Sequence, residues 1–195
     1  MAEVELPNLK ELEEIKEKKF TRRVALVTAV FAVVLAIASL GGNHAMKEML
    51  LAQQQASDQW AYYQAKSIRE HLYKSQKLML ENELDLLSQT LSRESVEKVN
   101  ASLKVLAGQE SKFAGDKKEI EQEARKLEKE RDTYRSRDPY FEYAEVLLQI
   151  AIVMASVSII SASRGVFGFS VLLASLGALM CANGYLQIFE LPFMH

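Results

Sequence analysis

The chain is poor in helix breakers and in the residues that hold metals or perform nucleophilic chemistry. Of its three prolines, none falls between Ala45 and Asp138, which is what long uninterrupted helices require. Cys181 is the one cysteine, so an intramolecular disulfide is excluded and the redox compartment leaves no mark. The three histidines, His44, His71 and His195, share no metal-ligand spacing with each other or with Cys181. No glycine-rich phosphate loop follows a strand pattern, because no strand pattern is present. Ser95-Val96-Glu97-Lys98 matches the serine–lysine pattern of acyl-serine enzymes, yet its companion motifs are missing. Its place at a helix start makes Ser95 a cap instead. No catalytic, metal or cofactor residue is therefore expected, and an enzyme is not expected. Charge of one sign is also lacking. Between Asn43 and Tyr140 there are 17 basic and 17 acidic side chains, a balance that argues against nucleic acid as a partner.

What the chain does have is apolar runs near both ends. They cover Val24 to about Leu40, Ala144 to Ala162 and Val166 to Phe189. Each is long enough, or nearly so, to cross a hydrocarbon core about 30 Å thick. Ala36-Ile37-Ala38 looks like a signal-peptidase site, but the region before the run is as acidic as it is basic, so the run is expected to be retained as a span. Asn8 and Glu11 form a capping pair ahead of a short amphipathic helix. That helix ends in a basic collar of Lys16, Lys18, Lys19, Arg22 and Arg23. The collar places the amino terminus inside, with Arg164 on the same side and the polar segment outside. Carboxylate, histidine and lysine are missing from the middle of the spans, which demotes ion-coupled transport. Gln149 and Asn183 are expected to bond between helices.

The polar segment carries a heptad pattern. Val96, Val99, Leu103, Leu106, Glu110, Phe113, Lys117, Ile120, Ala124, Leu127, Arg131 and Tyr134 alternate by three and four, as the a and d positions of a coiled coil do. Gly108 and Gly115 fall outside that seam. Upstream, Ala61, Ala65, Ile68, Leu72, Ser75, Met79, Asn82 and Leu86 alternate likewise and are expected to face it across a turn at Ser92 to Ser95. The fold class expected is all-α: three transmembrane helices with a long antiparallel coiled-coil hairpin between the first and second. The segments are 1–23 (cytoplasmic, amphipathic), 24–42 (first span), 43–138 (hairpin, turn near 92–95), 139–163 (second span) and 166–189 (third span). The hairpin would reach roughly 65 Å. Asp138-Pro139 would end its second arm and start the next helix. Gly41-Gly42-Asn43 reads either as a hinge or as part of one unbroken helix.

Two stripes point to self-association. Ser170, Ala174, Ala178 and Ala182 recur every four residues, a spacing that lets membrane helices approach closely, either between subunits or within the chain against the first or second span. Leu80, Leu84, Leu87 and Leu91 form a face apart from Met79 and Leu86, and a two-helix hairpin covers only one face of each arm. Trp60 and Tyr63 either fill the hairpin core near Leu127 or form an aromatic patch for a partner. These ten residues are the candidate contacts for an oligomer or partner.

Trp60-Ala61-Tyr62-Tyr63-Gln64-Ala65-Lys66-Ser67-Ile68, Glu123-Ala124-Arg125-Lys126-Leu127-Glu128 and the two closing spans together resemble a bacterial membrane family catalogued as domain of unknown function 4337. The resemblance covers nearly the whole chain and carries neither catalytic residues nor a ligand. It implies a bacterial inner membrane location, where the outside that the basic collar assigns to the hairpin is periplasmic or extracellular. The function expected is a non-enzymatic, homo-oligomeric membrane scaffold or accessory subunit, with an oligomeric pore or mechanically gated channel as the alternative. Membrane lipid, further copies of the chain and another envelope protein are the partners expected.

Overall fold

The computed structural model describes residues 9–87 and 92–189. Three helices account for nearly all of them: α1 (Leu9–Leu87), α2 (Arg93–Ile160) and α3 (Arg164–Leu186). No strand occurs among the described residues. Each helix contains a segment long and apolar enough to cross a membrane. The chain divides into two compact units, one of residues 1–48 with 133–195 and the other of residues 49–132.

The first unit buries chiefly small side chains, together with Phe31, Phe141 and Leu148, and leaves many large ones exposed. α1 turns Val24, Phe31, Ala38 and Ala45 inward, α2 turns Phe141, Ala144, Leu148, Ala151 and Ala155, and α3 turns Ser170, Ala174, Gly177, Cys181 and Gly184. Outward stand Leu26, Val30 and Val33 on α1, Val146, Ile150 and Val153 on α2, and Leu172, Leu176 and Leu179 on α3. In water this order would be reversed, because large apolar side chains gain most from burial. Small inward residues let the helix backbones approach closely. The two buried serines satisfy themselves locally. Ser158 donates to the Ala155 carbonyl at 2.6 Å and Ser170 to that of Phe167 at 2.8 Å.

Gly41-Gly42 is not a hinge, for α1 runs through it unbroken. Both glycines, costing about 1 kcal/mol each in a helix interior, make room for Phe141, which is 2% exposed. A Cβ on Gly41 would lie 2.5 Å from the Phe141 ring, and one on Gly184 would lie 2.9 Å from it. The ring is thus clasped by bare backbone from α1 and α3, with Tyr185 packed edge-on at 4.9 Å.

The expected helix boundary at Asp138-Pro139 does not exist, since α2 passes through Pro139. A proline inside a helix forfeits one backbone bond and costs about 3 kcal/mol. Here Tyr140, Phe141 and Ala144, all buried, follow at once and hold the helical path, and the Tyr140 hydroxyl donates to the Phe189 carbonyl at 2.9 Å. Asn183 does not bridge helices either. It closes the end of α3, its Oδ1 accepting from the Ile188 and Phe189 amides and its Nδ2 donating to the Phe189 carbonyl. Gln149 is exposed. Between α2 and α3, Ala162 adopts a left-handed φ of 46° and Ser163 caps α3.

In the second unit the cap is one turn earlier than expected. Ser92 Oγ accepts from the Ser95 amide at 3.2 Å, so Ser92 rather than Ser95 starts α2. The α2 seam is buried as its heptads imply, with Phe113, Ile120, Ala124 and Leu127 buried and Val96, Val99, Leu103 and Leu106 half-buried. Gly108 and Gly115 face open space.

The α1 seam differs from the expected one. Ile68, Met79 and Leu86 are 69%, 71% and 84% exposed, and Ala61, Ala65, Leu72, Ser75 and Asn82 are exposed as well. The residues turned toward α2 are Ala52, Ala56, Tyr63, Lys66, Glu70, Tyr73, Lys77, Leu80 and Leu84, buried or half-buried. The two stripes are offset by one to two residues, about 150° around the helix. α1 therefore presents its more apolar stripe away from its partner arm, and electrostatics explain why.

Candidate interaction surfaces

The inner stripe of α1 is polar because its counterpart on α2 is polar at the same levels. Lys77 Nζ meets Glu110 Oε2 at 3.4 Å, Lys117 Nζ meets Glu70 Oε2 at 2.6 Å, and Lys66 Nζ meets Asp116 Oδ2 at 2.6 Å. Further along, Trp60 Nε1 donates to Glu128 Oε1 at 3.0 Å and Arg131 Nη1 to Gln53 Oε1 at 2.9 Å. From Lys77–Glu110 to Gln53–Arg131 the numbers fall along α1 as they rise along α2, so these pairs run in opposite chain order. A slip of one heptad in one direction would set Lys77 opposite Lys117; in the other it would set Glu70 opposite Glu110. Both juxtapose like charges, so the ion pairs select one register where apolar heptads alone would accept several.

Aromatic rings cover these charges. Tyr73 and Phe113 stack at 5.5 Å with a 15° interplanar angle. Lys66 Nζ lies 5.1 Å from the Phe113 ring centre and 5.2 Å from that of Tyr62, and Lys117 Nζ lies 5.2 Å from that of Tyr63. The ring faces offer partial negative charge to each ammonium. The hydrogen bond from Lys66 holds the Asp116 carboxyl below the usual carboxylate range, and in return Lys66 is raised above the usual lysine range. Lys117 is raised chiefly by its bond to Glu70.

These groups are paired with one another. Among the described residues no cluster of three or more histidine, cysteine, aspartate or glutamate side chains is arranged to hold a metal. In sequence comparison, a family described as domain of unknown function (DUF4337) matches residues 20–187. The chain belongs to that family. No curated protein and no solved structure matches the chain.

The candidate contacts in this DUF4337 chain separate into covered and open residues. Trp60 and Tyr63 pack edge-to-face at 5.5 Å and are half-buried, as are Leu80 and Leu84, while Leu87 is exposed. Leu91 lies outside the described residues. On α3, Ser170 and Ala174 are buried, Ala178 is half-buried and Ala182 is exposed. A strict four-residue step overshoots each turn by about 40°, so that stripe drifts off the packed face, which continues through Gly177, Cys181 and Gly184 instead. The open apolar surface of the second unit is the stripe of Ile68, Leu72, Met79 and Leu86. Its signal was its own heptad spacing.

Proposed function

We propose that this chain is a non-enzymatic polytopic membrane protein of the bacterial inner membrane, acting as a homo-oligomeric scaffold or accessory subunit. Its extramembrane segment is an antiparallel coiled-coil hairpin that pairs with further copies or with another envelope protein. One observation carries the reading: α1 bears two heptad stripes, and the one left exposed, Ile68, Leu72, Met79 and Leu86, is the more apolar. Sustained stripes at that spacing are helix-pairing surfaces. Membrane insertion is supported by the small-inside, large-outside order of the first unit. Orientation is supported by Phe20 and Phe167, whose rings meet at 5.9 Å. That contact sets the basic collar of α1 beside Arg164, on the side that basic residues assign to the cytoplasm.

The pore alternative drew on a hinge at Gly41-Gly42 and on a free small-residue stripe. The glycines accommodate Phe141, and Ser170 and Ala174 are spent within the unit, so both features have other employment. Mass photometry of the full chain in mild detergent tests the scaffold reading. An oligomer is expected at low micromolar concentration, and the double substitution Leu72→Glu with Met79→Glu should dissociate it without loss of helix content. A strictly monomeric parent chain would refute the reading.

A further inference from the structure

The charged residues around the start of the first apolar run are sorted by face. Glu14, Glu17, Lys18, Thr21, Arg22 and Ala25 line one groove, where both signs mix. On another face, Lys16, Lys19, Phe20 and Arg23 follow at helical spacing and meet Arg164 and Phe167 of α3 around a cleft of about 360 Å³. No carboxylate lines this second cleft. Among the described residues, none of its four cations has an acidic side chain within ion-pair distance, although ion pairs are common elsewhere in the chain. α3 begins at Arg164, so the positive end of its dipole adds to the same field. The T-shaped Phe20–Phe167 pair supplies an apolar wall, and the apolar run starts at Val24, one residue beyond Arg23.

We propose that this cleft docks the phosphate of an anionic phospholipid headgroup, Arg23 and Arg164 closing on the phosphate oxygens and Lys16 and Lys19 neutralising the remaining charge. Guanidinium groups suit phosphate because their paired N–H donors match its oxygens. A free phosphate ion would satisfy the cations alone, whereas a lipid also uses the phenylalanine wall and the adjoining apolar surface. Lipid is therefore the occupant to which the site commits. The inference rests on the membrane reading above but not on the oligomeric one.

The test is native mass spectrometry of the full chain in detergent, with dioleoyl phosphatidylglycerol and dioleoyl phosphatidylcholine added in turn. Preferential retention of the phosphatidylglycerol is expected, falling roughly tenfold or more in the double variant Arg23→Gln, Arg164→Gln. The charge-matched variant Lys18→Gln, Arg22→Gln, on the mixed-sign face, should stay within about twofold of the parent chain if position and not total charge governs retention. All of these side chains are exposed, so their removal leaves the packing intact, and circular dichroism of each variant verifies that. Equal retention of the two lipids, or an equal loss in both double variants, overturns the proposal. So does displacement of the lipid by an equal concentration of glycerol phosphate, which would mark a free-anion site. Release of the protein from membranes by alkaline carbonate would instead overturn the membrane reading, and so separates the two failures.

Discussion

Replacing Gly41 and Gly108 by alanine adds the same methyl group to a helix interior, yet the two changes should act in opposite directions. Glycine to alanine gains about 1 kcal/mol of helix propensity at either position. At Gly108 nothing lies within 4 Å of the new Cβ, so the gain stands. At Gly41 the new carbon would sit 2.5 Å from Phe141 Cε1 and 2.7 Å from Tyr185 Oη, where carbon contacts prefer about 3.5–4.0 Å. The ring must retreat by about 1 Å to restore that distance, and Gly184 blocks the far side. Overpacking of this kind costs about 1–3 kcal/mol. With no free direction the upper end applies, leaving a net loss near 2 kcal/mol after the propensity gain. At about 2–4 °C per kcal/mol for a chain of this size, Gly41→Ala should lower the midpoint by about 4–8 °C, and Gly108→Ala should raise it by about 2–4 °C. The chain carries one probe for each unit. Buried Cys181 reports the first unit through a thiol-reactive dye, and Trp60, the sole tryptophan, reports the second by fluorescence. Adding Phe141→Leu to Gly41→Ala should recover part of the loss, as a favourable coupling in the double-mutant cycle. A Cys181-reported midpoint that rises in Gly41→Ala would refute the clasp around Phe141.

Three further outcomes follow from the second unit. Leu127 is 9% exposed, so Leu127→Asp buries an unpaired carboxylate and should cost about 3 kcal/mol or more, seen as a lower Trp60-reported midpoint. An unchanged midpoint would mean that Leu127 is not in the seam. Cysteines at Leu84 and Leu103, in a Cys181→Ala background, should cross-link on oxidation, whereas cysteines at exposed Met79 and at the seam residue Leu106 should not; the reverse result would restore the apolar stripe as the inner one. The pH profile should be a plateau. Asp116 is lowered by Lys66, so its contribution is complete above the ordinary carboxylate range and lost as pH falls through its own lower value. Lys66 and Lys117 are raised, so theirs is complete below the usual lysine range and lost as pH climbs through their raised values. The Trp60-reported midpoint should be flat from about pH 5 to about pH 9. In Asp116→Asn the acid limb should become shallower, and an acid limb identical to that of the parent chain contradicts the assignment.

The α2 seam was legible because its apolar positions have no rival on the same helix. On α1 the rule that apolar residues face the partner chose between two stripes and took the outer one, Ile68, Leu72, Met79 and Leu86. The information that reverses the choice lies in pairs. Glu110 and Lys117 already interrupt the α2 seam, and each needs an opposite charge at the matching level, which Lys77 and Glu70 supply. Single-helix periodicity does not contain that constraint. Both glycine effects are of the same kind. Gly108 reads as tolerated from its heptad position alone, whereas Gly41 acquires its meaning only from Phe141, about a hundred positions later. The continuity of α2 through Pro139 was hidden because local propensity argued for a break and distant packing opposed it.

The polar inner stripe of α1 also bears on how the protein is made. Every residue of that stripe leaves the ribosome before its partner exists, since Lys66 and Glu70 wait for Asp116 and Lys117. At about 5–20 residues per second, the wait lasts some seconds. An inner stripe of leucines would spend that time exposed and prone to pairing with a neighbouring nascent chain. Lysine and glutamate at those positions stay hydrated while alone, and act as gatekeepers against premature association. The ion pairs therefore form only once α2 has been made, and until then the inner stripe of α1 presents hydrated charges.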